Sequence, residues 1–206
     1  MLDPDSLTLV AITDGAQRST EDIVQRALAC VRGGATMVQL RLKDADARTQ
    51  VEVARALVAA LPCGIPLIMN DRADLAIASG AAGVHVGPED LPVAAARRVL
   101  GPDRIVGLSV GNDAEAVDAS LADYIGIGPV YATASKGDAG EAIGVGELER
   151  LAVLCARPAV GVGGIDASNA ASVIAAGARG VAVIRALFSA SDPEAAARSL
   201  RSAIGR

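Results

Sequence analysis

Aromatic residues are almost absent from this chain. Its 206 residues include two tyrosines, one phenylalanine and no tryptophan. Three scattered rings (Tyr124, Tyr131 and Phe188) cannot build the stacking platform of a single-strand nucleic-acid binder. Excess positive charge is missing too: 19 basic against 24 acidic residues leave a net charge of −5, which argues against a nucleic-acid partner held by bulk charge. Histidine occurs once, at His85, and the three cysteines, Cys30, Cys63 and Cys155, lie far apart without a CxxC pair. That set makes a weak zinc site and no disulfide framework, and it suits a reducing compartment. No apolar run reaches 18 residues without a glycine or a polar residue, so no membrane span is expected. The start, Met1 to Ser6, lacks the basic-then-apolar order of a signal peptide. A soluble cytoplasmic domain with neither nucleic-acid nor membrane partners is the expectation.

What the chain has is rhythm. With 51% hydrophobic residues it can bury a real core, and 206 residues suit one domain, 1–206. Short β-branched runs at 7–13, 36–42, 66–69, 83–86, 105–109, 123–128, 158–163 and 180–184 alternate with Ala-rich amphipathic stretches. The latter fall at 20–33, 47–61, 73–79, 91–100, 112–120, 145–156, 167–176 and 193–204. Such alternation means parallel strands with helical crossovers. Eight units of about 26 residues, with no segment left over, favour a closed parallel α/β barrel, the (β/α)8 or TIM barrel. Gly33-Gly34, Gly80 and Gly177 precede the second, fourth and eighth strands, where a glycine just past a helix supplies a left-handed turn.

Against this apolar background a few residues look out of place. On the second strand Val38, Leu40 and Leu42 share one face while Gln39, Arg41 and Lys43 share the other. Buried unpaired charge is costly, so the polar row is expected to climb the lumen toward the C-terminal mouth, where active sites of such barrels lie. Gly126 and Gly128 on the sixth strand and Gly161 and Gly163 on the seventh make room for a ligand if they face inward. The turn Gly163-Gly164-Ile165-Asp166, opening a helix after the seventh strand, reads as a phosphate seat. The Gly-rich stretch 137–146 reads as a lid. Asp71 and Asp90 follow adjacent strands, and two carboxylates at one rim suit Mg²⁺; capping of the helices at 73 and 91 is the alternative for each. Thr133, Ser135 and Lys136 put hydroxyls and an ammonium on a mouth loop, which suits an anion. His85 is expected to point inward as a hydrogen-bonded core residue.

These residues, in order, resemble a known family. Val38 to Asp44 (VQLRLKD), Met69 to Ala76 (MNDRADLA), Gly83 to Pro92 (GVHVGPEDLP), Gly107 to Val110 (GLSV), Asp123 to Lys136 (DYIGIGPVYATASK) and Gly161 to Ile165 (GVGGI) are together similar to thiamine-phosphate synthases. The resemblance covers nearly the whole chain and implies a (β/α)8 barrel. It implies an Mg²⁺-dependent transferase that joins 4-amino-2-methyl-5-pyrimidinylmethyl diphosphate to 4-methyl-5-(2-phosphoethyl)thiazole, with release of diphosphate. Carried over by residue, Gln39, Arg41, Lys43 and Asn70 hold the pyrimidine diphosphate, and Asp71 and Asp90 hold the metal. Ser109 lies near the reacting groups. Thr133, Ser135 and Lys136 meet the thiazole phosphate and the released diphosphate, and Gly164, Ile184 and Arg185 complete the substrate set. Arg41, Lys43, Ser109 and Lys136 are the residues expected to act in catalysis.

Three positions depart from the family pattern. Pro88 stands where the family usually has Gln, Ser135 replaces a Thr, and Arg185 replaces a Ser after the eighth strand. Two other readings stay open on this sequence: a thiazole tautomerase-like paralogue, and a barrel that binds a phosphorylated metabolite without catalysis. A homodimer is also compatible with it.

Overall fold

The structure is a computed structural model, and it describes residues 2–14, 18–133 and 141–205. Eight parallel strands close on themselves in sequence order: β1 (Leu9–Ile12), β2 (Met37–Leu40), β3 (Leu67–Asn70), β4 (Gly83–Val86), β5 (Ile105–Val110), β6 (Tyr124–Ile127), β7 (Ala159–Val162) and β8 (Gly180–Val183). β8 returns to β1 through the pair Leu9–Val181. The barrel expected from the alternation is the one observed, with each expected strand in place and most trimmed at the ends.

The helices form the outer layer: α1 (Thr20–Arg32), α2 (Ala47–Ala60), α3 (Ala73–Ser79), α4 (Val93–Leu100), α5 (Gly144–Cys155), α6 (Ala170–Ala175), α7 (Arg185–Phe188) and α8 (Pro193–Ile204). Local chemistry sets their ends. The Ser19 and Asp192 side chains accept the backbone N–H groups of Asp22 and Ala195, filling donors that the first turn leaves open. Gly34, Gly80 and Gly177 take φ of +110°, +81° and +90°, the left-handed turns expected there.

Three expectations change. The segment between β5 and β6 is a 3₁₀ turn at Glu115–Leu121 rather than an α-helix. α6 begins at Ala170, so the Gly163-Gly164 turn does not open it directly. α7, four residues long, lies outside the alternation because it is too short to show a period. Of the proposed lid, residues 137–140 lie outside the described residues, whereas Gly144 and Gly146 belong to the first turn of α5.

Two apolar clusters explain the strand patterning. Outward-facing residues such as Leu9, Val38, Met69, Val84 and Ile125 pack on the helices. Inward-facing Val10, Met37, Ile68, Tyr124, Val160 and Ala182 fill the lower lumen with Leu7. The lumen is therefore a plug at the bottom, and only its upper end is free for polar groups. Among the described residues no helix is long and apolar enough to cross a membrane.

Candidate active site

Above the plug lies a cavity of about 890 Å³ at the C-terminal ends of the strands. Its walls differ around the rim. On the β2 to β5 side they are side chains. Gln39, Arg41 and Lys43 climb from β2 as their period-two spacing requires, and all three line the cavity. Gln39 is 5% and Arg41 8% exposed, while Lys43 is at the solvent edge. The strand end is pinned to its neighbour, because the Thr13 hydroxyl donates to Arg41 O and accepts Arg41 N–H, both at 2.8 Å.

Arg41 carries an unusual burden. Among the described residues its buried Nε has no hydrogen-bond partner. Among the described residues no carboxylate pairs with its guanidinium. A buried donor left unmade costs about 1–3 kcal/mol, more when charged. An anion in the cavity would remove that cost.

Asn70, Asp71 and Asp90 line the same cavity from the ends of β3 and β4. Asp71 sits at φ +63°, a left-handed conformation that Asp tolerates better than most residues, and its N–H donates to His85 O at 2.8 Å. Asp90 accepts the Gly87 N–H at 2.7 Å. Neither carboxylate occupies a helix cap position: α3 is capped by Arg72 and α4 by Pro92. The capping alternative is thereby set aside. Among the described residues no group of three His, Cys, Asp or Glu side chains is placed to hold a metal. Two hard oxygen donors at one rim do not make a zinc cage; they fit an ion that keeps waters and takes phosphate oxygens, as Mg²⁺ does.

Ser109, on β5, also lines the cavity and contacts His85 Nε2 at 2.9 Å. His85 points inward as expected. Residues that sequence reasoning passed over complete this side. Tyr124 reaches His85 Nδ1 at 3.0 Å. Glu115 binds the Gly111 N–H and the Asn112 amide, both at 2.7 Å. The turn residues Gly111-Asn112 right after a strand were the available signal for that rim.

The β6 to β8 side combines glycines and close backbone with a few side chains. Gly126 faces the lumen, where an added Cβ would come within 3.1 Å of the His85 ring. Gly164 takes φ +64°, and a Cβ there would lie 2.7 Å from both Ala132 O and Tyr131 Cβ. Only glycine fits that corner. Asp166 closes the turn by accepting the Ser168 N–H and hydroxyl at 2.8 and 2.6 Å; these bonds, the hydroxyl first, hold its carboxyl below the usual range. Gly161 corrects the inward expectation: a Cβ on it would strike Val173 and approach Leu148 and Ile165, so it faces the helices. Thr133, Ile184 and Arg185 line the cavity; Arg185 is exposed at the first residue of α7. Such barrels often hold phosphate between the loops after strands seven and eight and a short extra helix. Ser135 and Lys136 lie outside the described residues. Pro88, on the rim, replaces an amide with a ring that offers no donor.

Residues 9–187 match the family described as thiamine monophosphate synthase. The chain is 52% identical over 204 residues to a thiamine-phosphate synthase of Xanthobacter autotrophicus, covering 98% of this chain and 97% of that protein. It is 48% identical over 204 residues to the thiamine-phosphate synthase of Azorhizobium caulinodans, with 98% and 96% covered. Its fold is similar to a solved thiamine phosphate pyrophosphorylase from Pyrococcus furiosus, with a TM-score of 0.87 and 34% identity over 98% of this chain and 97% of that one.

Proposed function

Because the chain belongs to the thiamine monophosphate synthase family, we infer that it is a thiamine-phosphate synthase, a transferase that joins the pyrimidinylmethyl diphosphate to the thiazole phosphate and releases diphosphate. The observation that carries the placement of the reaction is Arg41, a buried cation that lines the cavity and whose Nε has no partner among the described residues.

The chemistry follows from the substrates. The bond between the pyrimidine methylene carbon and the diphosphate oxygen breaks, and its electron pair leaves with diphosphate. The methylene is left as a cation delocalised over the aminopyrimidine. The thiazole nitrogen then donates its lone pair to that carbon, forming the new C–N bond and a thiazolium. No proton is removed in either step, so no strong general base is needed. The barrier lies in charge building on the leaving oxygens, and preorganised cations lower it most. Arg41 and Lys43 stand on that side of the cavity, and Lys136 follows in the loop after β6. Gln39 and Asn70 orient the pyrimidine diphosphate, and Ser109 meets it near the reacting carbon. Thr133, Ser135, Gly164, Ile184 and Arg185 take the thiazole phosphate.

Asp71 and Asp90 would hold Mg²⁺, whose charge adds to the neutralisation of the diphosphate when bound. The two carboxylates line the cavity from the ends of β3 and β4, and among the described residues neither pairs with the Arg41 guanidinium, which is left for the anion.

The test is the coupling reaction itself. Wild-type protein with both substrates is expected to release one diphosphate per thiamine phosphate formed, and to need Mg²⁺. Isomerisation of a thiazole without diphosphate release would point to the tautomerase-like reading. Tight binding of both phosphates without turnover would point to a non-catalytic barrel.

A further inference from the structure

On the cavity wall the upper lumen contains a chain of three polar groups whose lower end, Tyr124, lies in the apolar plug. The Tyr124 phenol lies 3.0 Å from His85 Nδ1, and His85 Nε2 lies 2.9 Å from Ser109 Oγ. The three residues come from β6, β4 and β5. The fit is close: a Cβ on Gly107 would come within 2.5 Å of His85 Nδ1 and would collide with the Tyr124 ring. Tyr124 is 2% exposed and packs among Val10, Ile68 and Val160. Among the described residues its hydroxyl meets only His85.

That isolation sets the direction of every proton in the chain. A phenol carries one proton, and a buried donor without an acceptor is costly. Had Nδ1 a hydrogen, in the other neutral tautomer or in the imidazolium, the Tyr124 oxygen would accept it and the phenolic proton would point into Val and Ile side chains. Burial, and secondly the charge of Asp123, also push the Tyr124 pKa up, so the phenol keeps its proton. Nδ1 is therefore the acceptor, and the imidazole proton sits on Nε2. Nε2–H donates to Ser109 Oγ. The serine proton is then turned away from the ring and toward the cavity, beside Gly126, whose register partner is Ser109 and which leaves that space open.

We propose that Tyr124 and His85 are positioning residues that lock Ser109 as a hydrogen-bond donor, so that its proton is directed at an acceptor of the pyrimidine diphosphate, a phosphate oxygen or a ring nitrogen. The inference rests on the reading of the cavity as the pyrimidine diphosphate site. Its structural half, the tautomer, stands independently of activity.

His85 is the sole histidine of the sequence, so tag-free protein labelled with nitrogen-15 histidine gives one imidazole pair to read. The expected spectrum shows Nε2 protonated and Nδ1 bare. A proton on Nδ1 in the folded wild-type protein, in either charge state, overturns the proposal without any variant. The functional half is read by a double-mutant cycle in the coupling assay. Tyr124→Phe keeps the ring and removes one oxygen. It is expected to lower kcat/KM for the pyrimidine diphosphate by about three- to tenfold, the worth of one oriented hydrogen bond. In a Ser109→Ala background the same change is expected to cost nothing further, because the group it orients is gone. Full additivity would show that Tyr124 supports the barrel generally, and would overturn the positioning role. Wild-type coupling activity is the control: its absence sinks the functional reading, whereas additive losses in an active enzyme sink only this inference.

Discussion

The two halves of the barrel mouth are built by different means. From β2 to β5 the wall is made of ionisable and amide side chains that project from strand ends. From β6 to β8 glycines share the wall with Thr133, Ile184 and Arg185, and Gly126, Gly163 and Gly164 draw the backbone toward the cavity. The first half is a set of charges, and substitutions there are expected to leave the scaffold standing. The second is a shape, and it is damaged by adding atoms. Under the proposed function the diphosphate, which gains charge during the reaction, is expected against the charged half. The phosphate of the thiazole, which only anchors its substrate, is expected against the glycine-rich half.

Substitutions in the two halves are therefore expected to fail differently. The largest effect is expected from Asp90→Ala. Loss of the carboxylate proposed to hold Mg²⁺ should lower kcat by on the order of 10²-fold or more, as removal of one electrostatic stabiliser does elsewhere, while circular dichroism shows a folded barrel. Unchanged turnover in the folded variant would break the comparison on the charged side. Gly164→Ala is next. It places a Cβ 2.7 Å from Ala132 O at φ +64°, a penalty of about 1–2 kcal/mol. The measured KM for the thiazole phosphate should rise about tenfold with kcat nearly kept. Arg185→Ser restores the family residue at an exposed position. A rise of about threefold in the thiazole KM, typical of an exposed charge contact, would show that the guanidinium helps bind the phosphate; a fall would show that it obstructs. The smallest effect concerns Asp166. Its carboxyl is held below the ordinary value of 3.8 in the folded protein, so its contribution to stability is present above that value and is lost as pH falls through the lower, folded-state one. Urea unfolding midpoints of the wild-type protein should drop slightly more on acidification than those of Asp166→Asn.

The same division explains what could be read from the sequence. Gln39, Arg41 and Lys43 announce themselves because two cations at period two conflict with a buried strand, and the structure places them where that conflict sends them. Asp71 and Asp90 were legible as strand-end carboxylates, and only the structure removes their alternative as caps. Glycine is less informative. Gly161 and Gly163 share parity in the sequence, yet Gly161 faces Val173 while Gly163 lies beyond the end of β7, where φ of +94° breaks the alternation. The short α7 has too few residues for a period. The Tyr124, His85 and Ser109 chain depends on the register of three strands, and register is not written in any one of them. Its one sequence signal was Gly107, on the same face of β5 as Ser109, where a missing side chain implies a bulky neighbour.

The split between the halves is tested most directly by calorimetric titration of inorganic diphosphate with Mg²⁺, and separately of the thiazole phosphate, into the wild-type protein and the Asp90→Ala and Gly164→Ala variants. The prediction is a crossed pattern: Asp90→Ala loses the Mg²⁺-dependent gain in diphosphate affinity and keeps the thiazole phosphate, whereas Gly164→Ala keeps the diphosphate and loses the thiazole. Parallel losses of both ligands in both folded variants would contradict it.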